Sequence, residues 1–240
     1  YKSWLGFYIA LCVMKGQPLF EDKFLTQKGA VLFIDKENIE RNMQERFRML
    51  GADAEMESCH FVQGNFSTEN LRTLAAVVDF VKRNNIKLVI IDSLVRVHAR
   101  NENDAVEMNK VFERLSEIQH AGAAVMYIHH LRKSTFASSD PMERLRGSVD
   151  ISARLDSLLA IEIEKNYLQV THGKSRYCEA IPKFLAEFYT IAGQAFFRYL
   201  KEVDDDAMKE FVCEDDIFQI LKEHSATRKH LLEALGERYS

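Results

Sequence analysis

Much that would mark a stapled, membrane-bound or strongly basic protein is missing from this sequence. Its 240 residues include only four cysteines, Cys12, Cys59, Cys178 and Cys213, and none stands in a C-x-x-C pair. Two of them lie inside apolar runs, where cysteine behaves as a small hydrophobe, so neither a disulfide framework nor a zinc finger is indicated. No apolar stretch reaches the roughly 20 residues of a membrane span, and Tyr1 to Met14 lacks the basic flank and small-residue cleavage site of a signal peptide. These absences predict a cytoplasmic protein with no membrane partner. Positive charge is not in excess, since 32 Lys and Arg face 36 Asp and Glu, a net charge of −4. That excludes a globally basic nucleic-acid binder, although a protein that grips DNA with loops in a channel needs only local positive charge. Internal repeats and low-complexity tracts are also absent. What remains, 47% hydrophobic and 28% charged residues, is enough for a substantial core in one main domain with an appendage.

The apolar pattern predicts alternating helices and strands. Lys2 to Met14 has helical spacing, with Leu5, Ile9 and Val13 on a broad apolar face, and Gly16 and Pro18 stop it. The chain starts at Tyr1, already within this amphipathic run, which reads as a truncated start. Ala30 to Ile34 is a buried-strand run, and a helix from Ile39 to Leu50 is closed by Gly51. His60 to Gln63 is a short strand candidate, Ser67 to Arg83 is helical, and Lys87 to Ile91 is a second apolar strand ending at Asp92. Asn103 to His120 is helical again, and Ala123 to His129 is a third apolar strand. Buried strands separated by helices imply an α/β fold with a mostly parallel sheet covered on both faces. After Ser152 come short alternating strands, Ser157 to Glu164, Tyr167 to His172, Phe184 to Ile191 and Ala195 to Leu200, read as antiparallel hairpins extending that sheet. The main domain is thus residues 1–202. Residues 203–240 carry an acidic linker, centred on Glu202 to Asp206, and two helical segments, Glu214 to Lys222 and Thr227 to Arg238, like the start of a winged helix or a packed helical C-terminus.

Several residues stand where chemistry is done in such a sheet. Lys2 and Ser3 open the first helix as the last two residues of a phosphate-binding loop would, and are equally what an exposed helix start can carry. Leu88 to Ile91 bury a strand that ends in one carboxylate, Asp92, at the end where parallel sheets place their ligands. Ser93 follows it, so a carboxylate that polarises water must come from elsewhere. Glu37, just past the first apolar strand, is the candidate, with Asp35 and Glu40 as rivals and helix capping as the plain alternative. Adjacent histidines on a strand face opposite ways, so His129 and His130 make a poor metal pair; one faces the crevice or is a satisfied core histidine. Between Leu131 and Gly147, Arg132, Lys133, Arg144 and Arg146 lie in a long polar loop, read as a DNA contact or a solvated surface. Arg96, His98 and Arg100 form a second basic patch with the same two readings.

With these features in order, the chain resembles the RecA/DnaB-like P-loop ATPases, and among them the plasmid RepA-like hexameric replicative helicases. The features are Lys2-Ser3, Phe33-Ile34-Asp35-Lys36-Glu37-Asn38, Leu88-Val89-Ile90-Ile91-Asp92-Ser93, Val125 to Lys133 and Thr171 to Arg176. The resemblance implies a RecA-like core that hydrolyses ATP with Mg²⁺ as a homo-oligomer, a hexamer, on single-stranded DNA. It implies that Lys2, Ser3 and Trp4 hold the nucleotide, that Ser3 and Asp92 hold the metal, and that Glu37 is the base. His129 or His130 would sense the γ-phosphate. Lys174 and Arg176 would reach from one subunit to the γ-phosphate of the next. Two other functions stay open: a recombination or repair ATPase of RecA or RadA type, and a nucleotide-switched adaptor acting through its C-terminal helices.

Overall fold

Val31, Leu32, Phe33 and Ile34 are at most 1% exposed, and Val89, Ile90 and Ile91 are fully buried. Strands so buried must be covered on both faces. In the computed structural model, which describes residues 2–21, 23–62, 66–100, 104–129 and 149–203, they are. The elements run α1 (Lys2–Lys15), β1 (Ala30–Asp35), α2 (Glu40–Met49), β2 (Cys59–Val62), α3 (Leu71–Arg83), β3 (Ile86–Asp92), α4 (Ala105–His120) and β4 (Ala124–Ile128). A short helix, α5 (Val149–Arg154), then leads into β5 (Ser157–Glu164), β6 (Tyr167–Ser175), β7 (Phe184–Ile191) and β8 (Gln194–Glu202).

The first four strands form a parallel sheet in the order β2-β1-β3-β4. Alternation sorts their side chains between two cores. Val31, Phe33, Leu88 and Ile90 pack on α1 and α2 through Phe7, Ala10, Leu11, Met14, Met43 and Phe47. Leu32, Ile34, Val89 and Ile91 pack on α3 and α4 through residues such as Leu74, Val77, Val111 and Leu115. Burying each such aliphatic side chain contributes about 1.5–3 kcal/mol, so the two layers dominate the stability of this half.

The antiparallel hairpins do not extend the parallel sheet. Among the described residues they form a sheet of their own, in the order β5-β6-β7-β8, joined to the first by α1. Leu5 packs with Leu168, Val170, Phe184, Ala186 and Phe197 of that sheet, and the Tyr8 ring stacks on Phe197. Since Phe7, Ala10 and Leu11 face the parallel sheet, α1 is covered on two sides and has no single apolar face. Gly6 lets it approach β4: a Cβ there would stand 3.1 Å from the Ile128 Cδ1. The left-handed conformation of Gly16 (φ +66) ends the helix.

Strand and helix bounds shift from the expected ones where side chains cap. Asn70, and not Ser67, starts α3, its side chain accepting from the backbone N–H of Arg72 and Thr73. Asp104 does the same for α4. The third strand stops at Ile128, and β6 runs on through Ser175. The proposed tail beyond residue 203 lies outside the described residues. Among those described, no helix is long and apolar enough to cross a membrane.

The cysteines give a check on this packing. Burial pushes the Cys12 thiol up to about 11 and the Cys59 thiol up to about 12, while Cys178 is exposed. Thiolate is the reactive form, so near pH ~8 iodoacetamide should modify Cys178 long before Cys12 or Cys59, which react only on unfolding. Peptide mapping by mass spectrometry reads the order; early labelling of Cys12 would contradict the packing of α1.

Candidate active site

The parallel register sets the ends of three strands level. Asp35 of β1 pairs with Asp92 of β3, and Asp92 with Ile128 of β4, so the chain leaves all three strands at one edge of the sheet. The backbone N–H of Lys36 donates to the Asp92 carbonyl, tying the first two exits together (3.2 Å). Parallel α/β sheets bind ligands at this carboxyl edge.

After β1, the turn is built by Asp35. One of its carboxylate oxygens accepts from the backbone N–H of Glu37 (2.7 Å) and of Asn38 (2.9 Å), and the other from the Asn38 side chain (2.8 Å). With three donors and only 7% exposure, Asp35 shapes the turn and is spoken for. Glu40 is engaged by Gln44 on α2. Glu37 does not cap that helix, whose N-cap is Ile39 with no side-chain cap. It points instead toward β3, where Ser93 Oγ donates to its Oε1 (3.2 Å) and Arg96 Nε donates to the same oxygen (3.4 Å). Of the three rival carboxylates, Glu37 is the one whose side chain meets the turn after β3, at Ser93 and Arg96.

Asp92 is 3% exposed, and Ser93 is fully buried. A carboxylate so enclosed at a strand end is no surface aspartate, because a buried charge needs compensation. The peptide between these two residues is cis.

On the other side, the Lys2 ammonium donates to the backbone carbonyl of His129, just past β4 (3.2 Å). The start of α1 therefore lies beside the same edge. Its first backbone N–H groups have no carbonyl within the helix to bond, and they carry the positive end of the helix dipole. The Trp4 ring packs on Phe188 of the antiparallel sheet (5.2 Å), with Arg46 over it. His129 is half-buried. β4 ends at Ile128, so His129 follows the strand and is not part of it. His130, Arg132, Lys133, Arg144 and Arg146 lie outside the described residues.

The second basic patch is not a patch. Arg96 goes to Glu37, His98 is buried, and Arg100 is paired with both Glu69 and Glu107. Ser93 and Arg96 are partners of Glu37 that residue types alone do not pair with it. The one available signal was their place on the turn directly after Asp92.

Lys174 near the end of β6 and Arg176 just past it meet at one backbone carbonyl. Lys174 Nζ donates to the Ala153 carbonyl (3.3 Å), as does Arg176 Nη2 (2.8 Å), and Arg176 Nη1 pairs with Asp156 (2.9 Å).

The residues also suit a Mg²⁺–nucleotide. Among those described there is no cluster of three or more His, Cys, Asp or Glu that could hold a metal alone. Mg²⁺ bound with phosphates asks for less, namely one or two oxygen ligands beside the phosphates and water. The buried Asp92 carboxylate and the Ser3 hydroxyl at the start of α1 are of that type.

Comparison with known proteins agrees with this geometry. Residues 1–135 match the family model described as an AAA domain. Among solved structures, the chain is similar to one titled "Crystal structure of the RadB recombinase", with a TM-score of 0.54, 12% identity, and coverage of 83% of this chain and 86% of that one. At that identity the likeness speaks for the fold, which is RecA-like. No curated protein matches the chain. With more than half of its length matched by the family model, and a RecA-like fold, the chain belongs to the AAA domain family and is a RecA-like P-loop ATPase.

Proposed function

We propose that the chain hydrolyses ATP with Mg²⁺ at this carboxyl edge, between subunits of a homo-oligomeric ring, and that hydrolysis drives movement on single-stranded DNA, as in RepA/DnaB-like replicative helicases. The observation that carries the ATPase reading is the levelled exit of β1, β3 and β4, which puts Glu37, Asp92 and His129 at one edge with Lys2 beside it. Lys2 and the first amides of α1 hold the phosphates, and Asp92 and Ser3 hold the metal. When bound, Mg²⁺ offsets the charge that develops on the transferred phosphoryl oxygens. Glu37 orients the attacking water and accepts its proton; Ser93 and Arg96, both on Oε1, leave Oε2 for that water. His129 or His130 reads the terminal phosphate.

Glu37→Gln in the full-length protein should bind ATP as before and lose turnover by about 10²–10⁴-fold, the usual contribution of a positioned base. Asp35→Asn keeps one side-chain oxygen, which can still accept from the Glu37 and Asn38 backbone N–H groups, and should slow turnover far less. If steady-state assays give the opposite order, the base has been misassigned.

The DNA part of the proposal rests on the RepA-like motif order and on Arg132, Lys133, Arg144 and Arg146. The deciding experiment is ATPase activity of the full-length protein with and without single-stranded DNA, followed by an unwinding assay. Stimulation with unwinding supports the helicase reading. Stimulation without unwinding points to a RecA/RadA-type recombination ATPase, and no stimulation to a nucleotide-switched adaptor. Removing the four charges should reduce the log–log salt slope of binding by roughly 0.7 for each phosphate that is no longer neutralised.

A further inference from the structure

The face on which Lys174 and Arg176 stand is set by a bulge. Leu159 pairs with His172 and Leu158 with Lys174, so Gly173 is an extra residue with no partner on β5. Directly paired residues share a face of the sheet, and consecutive pairs alternate. Leu168 and Val170 face α1 and its Leu5, and His172 is in phase with them. Without the extra residue Lys174 and Arg176 would follow on that face. With it they are turned to the opposite one, where α5 lies.

There Asp156 meets Arg176 twice. The pairing of Ser157 with Ser175 is continued by the Arg176 N–H donating to the Asp156 carbonyl (2.9 Å), so the two residues stand directly across from one another. Their side chains pair at 2.9 Å, and the Ala153 carbonyl takes a second guanidinium nitrogen. This holding group is itself fixed. Ile151 is 2% exposed in the core of the parallel sheet, and Arg154 donates to Asn109 of α4 (2.8 Å). The guanidinium has five N–H donors in one plane, so a carboxylate and a carbonyl on two of its nitrogens fix that plane and leave donors over. Arg176 remains 44% exposed, open to a neighbouring molecule.

We propose that Asp156 is a positioning residue for Arg176, holding the guanidinium on the face chosen by the Gly173 bulge so that it meets the terminal phosphate of an adjacent subunit. This rests on the reading that Arg176 acts in trans. A half-exposed ion pair contributes little to stability, so its loss should be read in turnover and not in folding.

The test uses the full-length protein as Asp156→Ala, Asp156→Asn, Arg176→Ala and the double variant Asp156→Ala/Arg176→Ala. Asp156→Ala should lower kcat by about 10- to 100-fold, the effect of a misplaced group, with the KM for ATP within about twofold of wild type. Asp156→Asn keeps an oxygen acceptor at the same place and should recover most of that loss. The double variant should be no slower than Arg176→Ala, because there is then nothing left to position. If Arg176→Ala is inactive and Asp156→Ala turns over at or above the wild-type rate, the positioning role is wrong while the trans reading stands. A double variant much slower than Arg176→Ala also overturns it, since Asp156 would then support the fold. If Arg176→Ala is fully active, the trans reading fails first.

Discussion

Arg176→Ala in the full-length, assembled protein is expected to lower ATP turnover by about 10³-fold or more, the effect of losing a cation that reaches the transferred phosphoryl group. A loss of that size corresponds to about 4 kcal/mol of transition-state stabilisation. The pair that Arg176 makes with Asp156 within its own subunit is half-exposed, and such pairs stabilise a fold by roughly 0–1 kcal/mol. The two scales separate the roles: a merely structural arginine changes the melting temperature slightly and leaves turnover alone. Charge builds on the phosphoryl oxygens only in the transition state, so a cation from the next subunit raises the rate and couples it to assembly. Arg176→Ala subunits mixed with Lys2→Ala subunits should then regain activity, because some interfaces carry an intact half from each. Failure to regain it despite demonstrated co-assembly would reject action in trans.

The parts of the fold that could be read from residues were those with one dominant cause. Val31 to Ile34 and Leu88 to Ile91 are uninterrupted apolar runs because both faces of the parallel sheet are covered, and their bounds hold to within a residue or two. Helix α1 was harder, since Leu5 and Tyr8 serve one sheet and Phe7 and Leu11 the other, and a spacing argument looks for one face. The antiparallel hairpins were legible as strands but not as a separate sheet, because alternation says which residues face inward and nothing about which edge a strand joins.

Within the candidate site, position along a strand is enough to propose Asp92 and to bring Glu37 onto a short list. It could not separate Glu37 from Asp35, which lie two residues apart. The hydrogen bonds show how their surroundings differ: Asp35 is taken up by the turn, and Glu37 is turned to Ser93. Arg96 reads as either a DNA-contacting cation or a solvated surface charge because its charge is visible in the sequence and its partner, 59 residues upstream, is not. The role of Asp156 is hidden for the same reason. Its partner lies 20 residues on, across a bulge whose only sequence trace is Gly173, where the strand had been expected to end.

Asp92→Asn is expected to leave the fold in place and to remove Mg²⁺-dependent hydrolysis. The side chain is 3% exposed and stands at the end of a strand whose Val89, Ile90 and Ile91 are fully buried. Asparagine is nearly the same shape, so packing in both layers is retained. It also removes a buried charge, which offsets part of what any lost hydrogen bond costs. The melting temperature without nucleotide should therefore stay within about 4 °C of wild type, equivalent to about 1 kcal/mol for a domain of this size. The metal loses its anionic ligand, and turnover should fall by about 10²–10³-fold or more, as when one preorganised electrostatic stabiliser is removed. A second readout does not depend on activity. A ligand at about 100 times its Kd stabilises the folded state by roughly 2.7 kcal/mol, so Mg²⁺–ADP should raise the wild-type melting temperature by several degrees. If Asp92 holds the metal, the part of that rise that requires Mg²⁺ disappears in Asp92→Asn, while the part produced by ADP with a chelator remains. An Asp92→Asn protein that keeps both the Mg²⁺-dependent rise and wild-type turnover would show that the metal is held elsewhere.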